Sequence, residues 1–251
     1  MDCKKAFAKI VKGTKAYFKK AGCKKAVFGL SGGIDSAVTA YVLEKALGKE
    51  NVFALFMPYE MNDSRPDLRD ALRVAAQTQI GFCVFQIKKI CDDFNETAWE
   101  PSKLAKANLR ARARMAVLYS FANSQAALVV GTSNRTELLL GYSTKYGDSA
   151  CDIMPLASLY KGEIRELAKW LGVPGGIIRK KPTAGLWRGQ TDEGEIGVKY
   201  ELIDEILKAR FEKKQSIKTI EKKFGKTSVS KVLLRAEKNW HKGKMPFAVE
   251  A

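Results

Sequence analysis

The hexapeptide Ser31-Gly32-Gly33-Ile34-Asp35-Ser36 follows directly on the apolar run Ala26-Val27-Phe28-Gly29-Leu30. A glycine turn that feeds a helix aims backbone N–H groups at one point, where a phosphate oxyanion is favoured. The string is not the lysine-bearing loop G-x-x-x-x-G-K-[ST], because no lysine follows the glycines and an aspartate occupies the loop instead. An acid beside a phosphate nest repels its ligand unless a cation sits between them, so Asp35 points to Mg2+ as the bridge. The blander alternative is a tight Gly-Gly turn in which Asp35 and Ser36 only cap a helix. A second polar run, Gly131-Thr132-Ser133-Asn134-Arg135-Thr136-Glu137, follows the apolar residues 127–130. If it ends in a loop beside the first, Glu137 can join Asp35 on one metal. Otherwise Glu137 is a solvated helix residue.

Setting two such loops side by side takes a particular scaffold. Residues 3–20 carry Phe7, Ile10, Val11, Tyr17 and Phe18 among lysines, the spacing of an amphipathic helix. Strands are expected at 26–30, 52–56, 82–87 and 127–130, with helices at 35–47, 66–79 and 103–123 between them. Beyond Lys161 a helix runs to Leu171, 174–197 reads as a functional loop without clear elements, and helices resume at 200–211, 216–224 and 228–241. This alternation is that of an α/β fold, a doubly wound, mostly parallel sheet with helices on both faces. In such sheets ligands gather beyond the carboxyl ends of the strands, where both polar runs would lie.

Composition narrows the class. The 251 residues are 46% hydrophobic and 28% charged, which suits one globular domain with a sizeable core and excludes disordered and collagen-like chains. No apolar run approaches the roughly 18 residues of a membrane span, and Met-Asp-Cys-Lys-Lys starts a polar helix, not a signal peptide. The expectation is a soluble, cytoplasmic chain without a membrane partner. Five cysteines with one histidine and no Cys-x-x-Cys pair argue for reduced thiols and against a zinc site or a disulfide framework. The net charge of +17 is dispersed: residues 201–251 hold 13 Lys/Arg against 7 Asp/Glu, so there is no detachable basic tail. A dispersed positive field attracts any polyanion, small phosphorylated substrates and RNA alike. Aromatic and basic residues are not interleaved as in stacking RNA-binding surfaces, so no nucleic-acid partner is expected.

The string Ser31–Ser36 resembles the pyrophosphate loop of the ATP pyrophosphatase superfamily, whose members split ATP between the α and β phosphates to adenylate a substrate. Within it, several further runs resemble the NAD synthetase family. These are Gly131–Glu137, Lys145-Tyr146-Gly147-Asp148 with Asp152, Pro155-Leu156 with Lys161, Lys181-Pro182-Thr183-Ala184-Gly185-Leu186, Gln190–Gly197 and His241-Lys242. The resemblance spans about residues 27–243. It implies an adenine nucleotide alpha-hydrolase-like, Rossmann-like fold, a homodimer, and an AMP-forming ligase. The substrates it implies are ATP, the nicotinate carboxylate of deamido-NAD, and ammonia, and no glutaminase domain is expected in 1–251. It implies ATP contacts at Gly29, Leu30, Ser31, Gly32, Gly33, Ile34, Asp35, Ser36, Thr132, Lys161 and Thr183, and Mg2+ on Asp35 and Glu137. Deamido-NAD contacts are implied at Asn108, Arg112, Lys145, Asp148, Asp152, His241 and Lys242, with Asn108 and Arg112 reaching across a dimer interface. Lys161 would balance phosphate charge during catalysis, and Asp148 would bind ammonium and accept its proton, unless it is simply a turn aspartate.

Two departures leave roles unassigned. Phe56-Met57-Pro58 stands where many members have an arginine for adenine, and Ser133-Asn134 replaces an Asp/Gly-His pair, so neither position inherits a function. Other adenylating amidotransferases are the competing enzymes, and an RNA-binding tRNA-modification protein is the competitor from another class.

Overall fold

Lys25–Gly29 (β1), Val52–Phe56 (β2), Gly81–Val84 (β3) and Ala127–Val130 (β4) form one parallel sheet in the order β3-β2-β1-β4. The computed structural model describes residues 1–94, 98–183, 190–244 and 246–249. Ala26, Val27 and Phe28 are all fully buried, because helices cover both faces of the sheet; hence the strands read as unbroken apolar runs. Ala26 and Phe28 pack into one core with α1 (Cys3–Lys20), α2 (Ile34–Leu47), α3 (Arg65–Thr78), α7 (Lys161–Trp170) and α8 (Gly175–Arg179). Val27, Leu55 and Val129 face the other way, onto α4 (Lys88–Asp93) and α5 (Lys103–Gln125).

A third apolar cluster contains no strand residue. It joins α6 (Arg135–Leu140) to α10 (Tyr200–Leu207), α11 (Ile217–Phe224) and α12 (Lys226–Lys238) through Leu140, Ile203, Ile220 and Val232, all fully buried. Residues 152–153 extend the sheet past β4, where Asp152 N–H donates to Val129 O and Gly131 N–H to Ile153 O.

The strand order reverses at β1. From there the chain moves outward through β2 and β3 on one side and returns to β4 on the other, so the loops leaving β1 and β4 flank a crevice at the carboxyl edge. Among the described residues, no helix is long and apolar enough to cross a membrane.

The expected elements are present, with local corrections. β3 stops at Val84, although Phe85 and Ile87 still donate to Phe56 O and Pro58 O. The span 174–197 contains α8 and α9 (Asp192–Ile196), both too short to carry a helical period. Glu137 is not at the end of a loop: it is the third residue of α6, a six-residue helix whose single turn of pattern is invisible to periodicity.

Candidate active site

α2 begins in the crevice. Gly33 is its N-cap and has no side-chain cap bond, so the first-turn N–H groups lack a capping side chain. The loop is braced internally by its serines: Ser36 Oγ donates to Gly33 O at 2.9 Å and accepts from Ser31 N–H at 3.2 Å, and Gly33 N–H donates to Ser31 Oγ at 3.3 Å. Gly32 has φ +80°, and a Cβ there would lie 2.5 Å from Asp67 O, so both conformation and space demand glycine. Behind the loop, Leu30 is fully buried and its N–H donates to Leu55 O. Gly29 and Leu30 therefore set the loop's floor through backbone.

Across the crevice, α6 is opened by a capping box. Asn134 Oδ1 accepts from Glu137 N–H at 3.0 Å while Glu137 Oε2 faces Asn134 N–H at 3.4 Å. The same Asn134, fully buried, donates from Nδ2 to Asp35 Oδ1 at 2.8 Å. Lys161 Nζ lies 2.6 Å from Asp35 Oδ2 and 3.0 Å from Glu137 Oε1, with only 3% of the residue exposed. The first turns of α2 and α6 thus converge on the ammonium of the first residue of α7. Burial works against that ammonium, yet the Asp35 and Glu137 carboxylates outweigh it and hold the Lys161 pKa above the ordinary lysine value. Burial also pushes the Glu137 carboxyl up, to about 7; Lys161 opposes the rise and Asp35 adds to it.

Lys161 is fixed from below. Its N–H donates to Thr136 Oγ1 at 3.0 Å, Thr136 Oγ1 donates to Asp204 Oδ1 at 2.6 Å, and Gly162 N–H donates to Asp204 Oδ2 at 2.8 Å. Burial raises the Asp204 pKa, and the Thr136 and Gly162 donors offset only part of the rise. The Tyr200 ring lies 5.4 Å from Lys161 Nζ, and its hydroxyl donates to Asp192 Oδ2 at 2.9 Å. The Lys161 ammonium is thus held against the two acids, at the mouth of the same crevice as the Ser31–Ser36 loop.

The dinucleotide candidates gather elsewhere, around the turn 141–148. Asn108 Oδ1 accepts from Thr144 Oγ1 at 2.7 Å and Arg112 Nη2 donates to Lys145 O at 3.3 Å, both within the chain. Asn108 and Arg112 lie one helical turn apart and share a face of α5. Arg110 stacks 3.6 Å from the Tyr59 ring centroid and Arg114 Nε donates to Met57 O at 2.8 Å, so the three arginines diverge as alternate helical positions must. Asp148 Oδ1 accepts from Thr144 N–H at 2.8 Å, the bond of a turn aspartate. The crowding of surrounding chain raises the pKa of this exposed carboxyl, with Thr144 opposing the rise. Lys242 Nζ donates to Gly141 O at 3.0 Å and Ser143 O at 2.9 Å, whereas His241 is exposed on the adjoining turn Trp240–Gly243. Asp152 stands apart: Val129 N–H, at 2.7 Å, and the Tyr119 hydroxyl, at 3.2 Å, occupy its carboxylate in bracing the sheet edge. Thr132 follows β4 and is half-buried; Thr183 is exposed. Ala184-Gly185-Leu186 lie outside the described residues.

Sequence reasoning missed Asn134, Thr136, Asp204 and Lys180. The Asn-x-x-Glu spacing of 134–137 signals a capping box and could have located α6. Nothing local signals that the same asparagine reaches Asp35.

Comparison with known proteins agrees with this geometry. The sequence pattern of the NAD synthase family matches residues 6–246. An NH(3)-dependent NAD(+) synthetase of Fusobacterium nucleatum is 41% identical, with 98% of this chain and 96% of the relative covered. Among solved structures, an NH3-dependent NAD synthetase from Campylobacter jejuni, in complex with the nitrate ion, superposes with TM-score 0.86 at 36% identity. An NMN synthetase from Francisella tularensis superposes with TM-score 0.88 at 33% identity, and in both cases all of each chain is covered. A family pattern that takes in both crevice loops, α7 and the turn 141–148, together with full-length likeness in sequence and in shape, makes this chain a member of the NAD synthase family.

Proposed function

We propose that the chain makes NAD by adenylating the nicotinate carboxylate of deamido-NAD with ATP and amidating it with ammonia. The observation that carries this reading is the convergence of Asp35, Asn134, Glu137 and Lys161 beside the open amino end of α2. Amide formation from a carboxylate is uphill until its oxygen leaves readily. A carboxylate oxygen attacks the α-phosphorus, the bond to the bridging oxygen breaks, and pyrophosphate departs toward Ser31–Ser36. Ammonia then adds to the acyl carbon, AMP leaves, and the surplus proton passes to an acceptor, which we assign to Asp148. Its Oδ1 is engaged by Thr144 N–H, so Oδ2 is the oxygen for this task. No protein nucleophile takes part.

Mg2+ suits the acidic pair. Asp35 and Glu137 already converge on one positive group, and Mg2+ typically takes one or two carboxylates and completes its shell with substrate phosphates and water. Among the described residues no third acid, cysteine or histidine joins them as a metal cluster, which agrees with a shared and not a self-contained site. When bound, the ion would supply positive charge to the phosphates. Lys161 is the residue we assign to the phosphates alongside it, with Thr132 and Thr183 as hydroxyl donors. We assign deamido-NAD to the cluster around 141–148, with Asn108 and Arg112 serving it in a homodimer. ATP as co-substrate suits a cytoplasmic setting.

Likeness to an NMN synthetase favours a second reading, in which the same ring carboxylate arrives on a mononucleotide. Pyrophosphate release from ATP and Mg2+ is the test, with deamido-NAD, with nicotinate mononucleotide, and with neither. Strict dependence on deamido-NAD is expected. Preference for the mononucleotide would transfer the chain to the second reading, and release without either would sink both.

A further inference from the structure

We propose that Lys180 is a positioning residue for the ATP phosphates: it acts as the counter-ion that lets the phosphate loop rest against two acids of α3. The proposal rests on ATP being the co-substrate and adds a residue that the family resemblance did not supply.

Lys180 is the C-cap of α8, and its Nζ lies 2.7 Å from Asp67 Oδ1, 2.7 Å from Asp70 Oδ2 and 3.3 Å from Gly32 O. Asp67 and Asp70 are one helical turn apart, so their carboxylates share a face of α3. That face touches the phosphate loop, since the Asp67 backbone is what forbids a side chain at Gly32. A loop meant to receive a polyanion therefore abuts two negative charges. Left unpaired, these would weaken phosphate binding through space. Lys180 offsets them at the point where they meet the loop. Arg73 also approaches Asp70, at 3.7 Å, and is largely exposed.

Stability is a poor explanation for this arrangement. Lys180 and Asp67 keep 31% and 48% of their side chains exposed, and an ion pair of that kind adds little to folding, whereas Asp70 is more enclosed at 13%. Their placement against Gly32 is what distinguishes them. The tether has a second use, because Asp192 N–H donates to Pro182 O at 3.0 Å. Thr183 is the next residue, so the main chain leading to it is held both through Lys180 and at Pro182.

The experiment compares wild type, Lys180→Gln, Lys180→Arg and the triple variant Lys180→Gln/Asp67→Asn/Asp70→Asn. Pyrophosphate binding is measured by calorimetry at low and high salt, and KM is measured separately for ATP and deamido-NAD. Lys180→Gln should weaken pyrophosphate binding and raise the ATP KM about tenfold at low salt, with the deamido-NAD KM held within about twofold. The defect should shrink as salt screens the acids, Lys180→Arg should recover most of the loss, and the triple variant should recover at least about half. A merely structural role would not respond to salt or to removal of the acids. Unchanged pyrophosphate binding in Lys180→Gln, or a triple variant no better than the single one, would overturn the proposal. Failure of the functional reading is visible separately, in wild type that turns over no deamido-NAD, and the pyrophosphate titration still decides the role of Lys180.

Discussion

Asn134 donates from Nδ2 to Asp35 Oδ1 at 2.8 Å, joining two residues 99 positions apart across the crevice between β1 and β4. Its Oδ1 meanwhile caps α6 and so aims Glu137 at the same point. One buried amide thus holds both acids in register. Asn134→Ala should cost about 1–3 kcal/mol of stability, because it removes a cap and leaves the half-buried Asp35 acceptor without this donor. Asn134→Asp should cost more activity than Asn134→Ala, since it sets a carboxylate against Asp35. Urea midpoints and pyrophosphate release measure the two effects; equal activity in both variants would count against the register role.

Asp35→Ala and Glu137→Ala should each lower pyrophosphate release by at least about a hundredfold while the fold survives, as expected where charged groups are arranged for a charge-building step. Circular dichroism checks the fold. Near-normal release by either variant at modest Mg2+ would remove the shared-metal assignment.

Burial and the nearby Asp35 raise the Glu137 pKa from 4.5 to about 7, which fixes the sign of a pH effect. Folding then favours the protonated form. The associated stability is complete below about 4.5 and is lost as pH rises through about 7. The metal-free protein in EDTA should therefore lose thermal stability across that window, and Glu137→Gln should flatten the decline. A wild-type profile that rises between pH 5 and 7.5 would contradict the sign.

Arg112 is exposed and already reaches Lys145 O. Arg112→Ala should raise the KM for deamido-NAD about tenfold, an ordinary value for one lost charged contact, and leave that for ATP nearly unchanged. Sedimentation should show wild type as a dimer. An active monomer would exclude a site completed by a partner.

Ammonium, not glutamine, should serve as nitrogen source for the purified chain. Releasing ammonia from glutamine takes a cysteine activated by a lowered pKa. Here burial pushes the Cys151 thiol up to about 11 and raises that of Cys91 as well, the opposite of activation. Comparable amide formation from ammonia-free glutamine would refute this.

Elements with enough length to show a period, such as α1 and α5, were legible from sequence, and so were the buried strands, whose apolar runs follow from helices on both faces. Helices of five or six residues, α6, α8 and α9, were not, because a single turn carries no period. The two polar runs were legible as loops leaving β1 and β4, neighbouring strands at the order reversal. Side-chain targets were a different matter. No motif announces that Lys161 pairs with two carboxylates or that Asp152 braces a strand, and Lys180 carries no signal of its own in a chain of net charge +17.

The strand order also dictates when the site comes into being. Asp35 and Lys161 are 126 residues apart, and β1 must wait for a neighbour that begins at Ala127. Pairing across so long a stretch requires closing a large loop before any contact rewards it, which makes it a slow step of folding. On the ribosome, β1, β2 and β3 emerge early and carry the phosphate loop with them. The nascent chain at that stage has an anion nest and one acid of the pair, but neither Glu137 nor Lys161. Competence should arrive only after β4 has closed on β1 and α7 has followed.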